Sequence, residues 1–333
     1  MTTMNDGKTL IIAEIGNNHE GSFNNAVKMV ESAAKCGVNA VKFQTIRAEH
    51  LVSRSDSARF SRLKSFELSY NEFEKLSKLA KSLGLIFIST PFDLESAAFL
   101  NGIVDYFKIA SSDNTFYPLI DLVASYNKPI IVSSGLTDIS QCKDLISRIR
   151  NIRKDAETKS QLSVLHCVSS YPTPPEQANL RSISFMQTQL DCTVGYSDHT
   201  LGIDACILAV ALGAKIVEKH FTLDKAFSDF RDHQLSADPS EMTCLVKKIR
   251  QAELLLGSND KSVQPCEETS VIALRRSIIA ARDLEKGKTI ELSDITWVRP
   301  GGGMAPGEEK FLIGKKLSRD CPAGEKLSKS FVE

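Results

Sequence analysis

Two histidines stand at the ends of consecutive short apolar runs, His199 in GYSDHT and His220 in IVEKHFT. Each has a carboxylate close by, Asp198 immediately before the first and Glu218 two positions before the second. If the runs are neighbouring parallel strands joined by the helical segment between Gly202 and Gly213, both imidazoles emerge at one end of one sheet. A divalent cation suits such a pair, with the acidic neighbours orienting the rings. A lone histidine at a strand end is more often a hydrogen-bonded structural residue than a ligand. The other strand ends therefore decide.

An apolar run closing on polar residues recurs along the chain. TLIIAEIG carries Glu14, NAVKFQT carries Lys42 and Gln44, LIFISTPF carries Thr90, and DYFKIASSD carries Lys108, Ser111 and Asp113. PIIVSSG follows with Ser133 and Ser134, LSVLHCVSSYPTP with Ser169, and CTVGYSDHT with Ser197. Lys42 and Lys108, extending from buried strands beside the hydroxyls of Thr90, Ser111, Ser133 and Ser197, suit a dianionic phosphate plus a carboxylate. Glu14, Asp113, Glu218 and Asp232 suit sugar hydroxyls or proton relay. With the histidines holding a cation that polarises a carbonyl oxygen, the set points to condensation of a phosphorylated acid with an aldehyde.

These groups share an opening only if the strands close on one another. Eight runs alternate with segments of helical spacing, among them 70–83, 116–126, 139–152, 203–212 and 240–256, and this order predicts a (β/α)8 TIM barrel. A barrel places its chemistry at the C-terminal strand ends, where the polar residues lie. No GxGxxG follows the first strand, which weakens a dinucleotide-binding sheet. A polar insertion, Ile46–Ser69, exceeds an ordinary connection and reads as a lid or a partner-contacting arm. After Leu256 the pattern changes to GSNDKSVQPCEETS and then to short strands and turns. The expected organisation is a barrel over 1–262, a linker over 263–270 and a small, mainly β domain over 271–333, short enough to gain stability by docking on a partner surface.

Composition narrows the classes further. Forty-one basic and forty-one acidic residues among 333 cancel, leaving no global field for nucleic acid or an anionic membrane. No apolar run approaches the roughly 20 residues of a membrane span, and the polar N-terminus lacks a signal-peptide layout, so a cytoplasmic protein is expected. The eight cysteines are scattered without a CxxC pair and read as reduced structural thiols.

Taken together, AEIGNNHEGS, AVKFQT, FISTPF, YFKIASSD, VSSG, LHCVSSYPTP, GYSDHTLG, IVEKHFTLDK and DHQLSADP, in that order, resemble the bacterial sialic acid (N-acetylneuraminate) synthase family. Its members condense phosphoenolpyruvate with an N-acetylated hexosamine to give a nonulosonic acid. The tail, RRSIIAARDLEKGKTI through WVRPGGG, is similar to the antifreeze-like (SAF) domain of these synthases. The resemblance implies that His199 and His220 hold Mn2+ or Mg2+, and that Lys42, Thr90, Lys108, Ser111, Ser133, Ser169 and Ser197 hold phosphoenolpyruvate. It places Gln44, Asp113, Tyr171, Glu218 and Asp232 around the amino sugar, with Glu14, Lys42, Lys108, Asp113 and Glu218 in the catalytic machinery. Arg299 matches the tail arginine that contacts the N-acyl group, and the family forms a homodimer in which each tail covers its partner's barrel.

The chain departs from the family pattern around the sugar. Asp113 stands where many members have Glu, Ser169 where some have Asn, and Phe230–Asp232 reads FRD in place of GPD, adding bulk and the charge of Arg231. Two other readings compete. One is a metal-independent Schiff-base aldolase using Lys108 or Lys219, although Lys219 alternates with Glu218 and so points out of the barrel. The other is a sugar-binding barrel without turnover, which would have no need of cation and phosphate groups together. Synthases acting on phosphorylated aldoses are disfavoured by Arg299 and the appended tail.

Overall fold

The computed structural model describes residues 7–153 and 161–333. Eight strands close a parallel barrel in sequence order: β1 Leu10–Gly16, β2 Ala40–Thr45, β3 Ile86–Pro91, β4 Tyr106–Ile109, β5 Ile130–Ser133, β6 Leu162–Cys167, β7 Thr193–Asp198 and β8 Ile216–His220. β1 pairs with both β2 and β8, which completes the ring. The (β/α)8 expectation holds.

Residue alternation explains why the barrel is apolar below and polar above. Successive strand residues face opposite sides, and Leu10, Ile12, Ala40, Ile88, Ile131, Leu165 and Ile216 fill the lower interior. Two residues beyond these on the same face come Glu14, Lys42, Thr90, Ser133, Cys167 and Glu218. The opposite face, including Ile11, Phe43, Phe87, Phe107 and Val217, packs beneath the helices. Gly195 is inward too, where an added Cβ would lie 2.6 Å from both the Ile216 carbonyl oxygen and Leu165 Cδ2. Glycine there lets Leu165 plug the barrel.

The expected helices form as Tyr70–Ser82, Tyr117–Ser125, Ile139–Arg153, Asp204–Ala211 and Pro239–Leu256. Capping boxes start the first, with Ser69 and Glu72, and the last, with Asp238 and Glu241. The insertion after β2 contains helices Ala48–Leu51 and Ser57–Phe66. The longer of these buries only Phe66, so it lacks the repeated apolar face that marks a helix in a sequence. No helix among the described residues is long and apolar enough to cross a membrane. The cysteines are unpaired.

The chain divides between Gly257 and Ser258. In the second unit, β9 Ser277–Ala280 and β10 Ile295–Val298 pair antiparallel over a core of Ile278, Leu284, Ile290, Ile295, Leu312, Leu317 and Leu327. The segment expected as linker carries a 3-10 turn, Pro265–Glu267, running into helix Glu268–Leu274, which buries no side chain.

One buried group ties this fold to pH. His19, in the turn after β1, accepts from Gly21 N–H through Nδ1. Burial pulls its pKa down to about 4, against a weaker opposing pull from Glu72. The neutral ring's contribution is fully present above pH 6.5 and is lost as pH falls from there toward 4. Stability is therefore expected to drop by about 2 kcal/mol between pH 7 and pH 5 on this account. His19→Gln should flatten that slope in urea unfolding; an unchanged slope would contradict it.

Candidate active site

Four charged side chains meet inside the barrel mouth. Lys42 Nζ lies 2.8 Å from Glu14 Oε2 and 3.6 Å from Glu218 Oε1, and Lys108 Nζ lies 4.0 Å from Glu218 Oε1. Lys108 donates to Ser133 Oγ at 2.6 Å, Ser197 donates to Glu218 at 3.0 Å, and Lys42 reaches Thr90 Oγ1 at 3.5 Å. Gln44 Nε2 donates to Glu14 at 2.9 Å, while Asn17 donates to Gln44 Oε1 at the same distance, which fixes the amide's orientation. All four charged groups are buried.

Burial and pairing compete at each of them. Burial raises the Glu14 pKa, assisted by Glu218 and opposed by Lys42, and the net direction is up. Glu218 goes down, because Lys108, Lys42 and the Ser197 hydroxyl outweigh its burial. Burial lowers Lys108 despite Glu218, whereas for Lys42 the two carboxylates overcome burial and raise it. Paired carboxylates pushed apart in this way divide into an acid and a base.

A small-residue cradle adjoins the lysines. Gly135 N–H donates to Ser111 Oγ at 3.1 Å, and Ser169 Oγ is buried with no hydrogen-bond partner. An added Cβ at Gly135 would stand 2.3 Å from Ser169 Oγ and 2.6 Å from Ser111 Oγ. Asn114 holds this loop by donating to the carbonyls of Ser133 and Gly135. The Ser134 hydroxyl is engaged with Leu165 O.

The histidines converge. Their ring centroids are 5.4 Å apart, a span that one ion bonded to both rings can bridge. His199 Nδ1 faces Val168 O at 2.8 Å, which places a proton on Nδ1 and makes Nε2 the nitrogen available to an ion. His220 Nδ1 is buried without a partner, and burial together with His199 pushes the His220 pKa well down, so the ring is neutral. Asp232 Oδ2 lies 3.9 Å from that nitrogen, and its Oδ1 makes no hydrogen bond. Among the described residues no cluster of three or more histidine, cysteine or acidic groups forms a complete cage. Burial lowers the His199 pKa, but Cys167 and the Val168 carbonyl outweigh it and the net direction is up. Two imidazoles beside the Asp232 carboxylate, whose Oδ1 also lies 3.5 Å from Arg231 Nε, thus fit an open site whose other positions water or substrate would fill.

Asp198 corrects the sequence reading. It does not orient His199, which the Val168 carbonyl does, but turns outward to pair with Lys219 at 2.8 Å. Lys219 is outside the barrel, as alternation implies. Tyr171 lies against His199 with centroids 4.0 Å apart, and Arg231 stands 4.7 Å above Tyr171. Asp113 ends the turn Ser111–Asp113 that carries Ser111 into the cradle, accepting from Ser112 at 2.7 Å. Arg299 is exposed on the second unit, just past β10.

The sequence reading passed over Gly135, Asn114, Asn17 and Cys167. Only Cys167 had a local signal, its inward parity two residues after Leu165. Its Sγ lies 3.8 Å from His199 Nδ1.

A closed barrel whose mouth gathers a lysine–carboxylate cluster beside paired histidines is an enzyme-type site. The chain belongs to the NeuB family, whose model matches residues 29–261, and residues 275–333 match the SAF domain. It is 39% identical to the N,N'-diacetyllegionaminic acid synthase of Legionella pneumophila over 97% of this chain and 94% of that protein. It is 34% identical to a pseudaminic acid synthase of Campylobacter jejuni over 98% and 97% of the two chains. The crystal structure of an N-acetylneuraminic acid synthetase from Leptospira borgpetersenii superposes with TM-score 0.74 at 33% identity, covering 79% of this chain and 90% of that one.

Proposed function

We propose that the protein condenses phosphoenolpyruvate with an N-acetylated hexosamine, N-acetylmannosamine or a di-acetamido hexose, and water, giving a nonulosonic acid and phosphate. The observation that carries this reading is the Lys42–Glu14–Glu218–Lys108 cluster opening beside the His199–His220 pair.

The lysines, with Thr90, Ser111, Ser133, Ser169 and Ser197, hold the phosphate and carboxylate of phosphoenolpyruvate. Gln44, Tyr171 and Asp232 face the sugar. C3 of phosphoenolpyruvate bonds to the aldehyde carbon, and Glu14, with its raised pKa, protonates the oxygen that becomes a hydroxyl. Water then adds at C2, passing a proton to Glu218, which the lysines hold as carboxylate. The C2–O bond to phosphate then breaks, its electron pair leaving with phosphate, which takes the proton of the C2 hydroxyl as the ketone forms. His199 and His220 would hold Mn2+ or Mg2+, which when bound supplies Lewis-acid polarisation of the carbonyl. The tail reading extends to a homodimer, in which Arg299 contacts the N-acyl group of a sugar in the partner's barrel. A cytoplasmic location fits the use of phosphoenolpyruvate.

The test is phosphate release from phosphoenolpyruvate over a panel of amino sugars, scored by product mass. Release with at least one N-acyl hexosamine is expected; silence across the panel would favour a binding protein. Lys42→Met should lower kcat/KM for phosphoenolpyruvate about 10²-fold, the typical scale for removing one preorganised charge partner. A loss confined to the sugar KM would contradict its placement.

A further inference from the structure

The wall on the sugar side rests on a fragile element. Arg231 and Asp232 begin a helix of five residues, Arg231–Leu235, whose N-cap residue Phe230 makes no side-chain capping bond. So short a helix is not stable by itself. Its position is set by what it leans on.

Two supports come from distant parts of the chain. The Phe230 ring packs edge-on against Phe66 with centroids 5.2 Å apart, and Phe66 is the one buried residue of the insertion helix Ser57–Phe66. Glu20, in the turn after β1, accepts from Ser228 Oγ and faces His233 Nε2 at 3.3 Å, while His233 Nδ1 lies 2.7 Å from Thr222 Oγ1. The same turn is pressed against the insertion. Gly21, at φ +77°, would place a Cβ 2.1 Å from Ser65 O. The insertion is itself closed at its base by Ala48 N–H to Glu67 at 2.8 Å and by Arg47 to Leu68 O at 3.0 Å.

We propose that the insertion 46–69 is the buttress of the sugar-binding wall, and that Phe66 is a positioning residue which, through Phe230, sets where Arg231 and Asp232 stand over Tyr171 and His220. The proposal rests on the reading that the amino sugar occupies the Tyr171–Asp232 side. It gives the insertion a role in sugar selectivity and leaves the phosphoenolpyruvate side, whose lysines stand inside the barrel on β2 and β4, outside the Phe66–Phe230 contact.

Phe66→Ala, Phe230→Ala and the double variant test it, with sugar and phosphoenolpyruvate varied separately. Each single change is expected to raise the sugar KM about tenfold while the phosphoenolpyruvate KM stays within about twofold. The double variant should be no worse than either single one, because both remove one contact. Amide hydrogen exchange of 228–235 in Phe66→Ala should quicken while β1–β8 keep their protection. An unchanged sugar KM in both single variants, equal rises in both KM values, or additive penalties would overturn the proposal. Should the wild type turn over no amino sugar, the reaction reading fails, and the exchange pattern alone decides whether Phe66 supports this wall.

Discussion

Chelation with EDTA is expected to bring phosphate release to background, and added manganese to restore it. The two rings meet from the ends of β7 and β8, His199 with Nδ1 tied to Val168 O so that Nε2 is its nitrogen for an ion, and His220 held neutral by burial. With no third histidine, cysteine or acidic ligand grouped with them among the described residues, two imidazoles would hold an ion loosely enough for a chelator to remove it. His199→Ala should lose more than about 10³-fold in turnover, equivalent to about 4 kcal/mol of barrel-site catalysis, with its metal content reduced and its melting curve retained. Full activity in EDTA, with borohydride trapping of a carbonyl substrate on Lys108, would replace the synthase mechanism by Schiff-base chemistry.

The largest stability effect is expected outside the site, at Asp198. Its carboxylate is fully buried and receives Lys219 Nζ at 2.8 Å, Tyr196 OH at 3.0 Å and the Thr200 N–H at 2.8 Å. Lys219 also donates to Thr200 O at 2.6 Å. Asp198→Ala strands a buried ammonium and should cost about 3–5 kcal/mol in denaturant unfolding. The double change Asp198→Leu with Lys219→Met removes both charges and should recover most of that loss. An unaltered midpoint in Asp198→Ala would show that the pair contributes nothing. Lys219, held this way on the outer wall, is unavailable as a Schiff-base nucleophile.

Much of the site was readable because strand parity is local. Ile12 to Glu14, Ala40 to Lys42 and Ile216 to Glu218 each repeat the inward face two residues on, so an apolar floor beneath a polar rim follows from the sequence pattern. The same parity places Lys219 outside, and applied to β7 it separates Asp198 from Ser197 and His199. Reading Asp198 as an orienting partner for His199 followed adjacency in sequence where alternation pointed the other way. Ser111 and Ser169 were visible at strand ends, but their meeting with Gly135 in one cradle had no such signal, since it joins loops from three different strands. Nor did the contact of Phe66 with Phe230, where each residue looks like an isolated aromatic in a polar stretch.

The order of strands and helices, the end of the barrel that carries chemistry and the residue types available there were determined by the sequence alone, through periodicities that need only a few neighbouring residues. Barrel closure decided the rest. It brings Glu14, Lys42, Lys108 and Glu218 from four strands into one buried cluster, and only that proximity turns four ionisable side chains into groups of different proton affinity. Charge interactions depend on distance through space and on exclusion of water. Neither quantity is written along a chain.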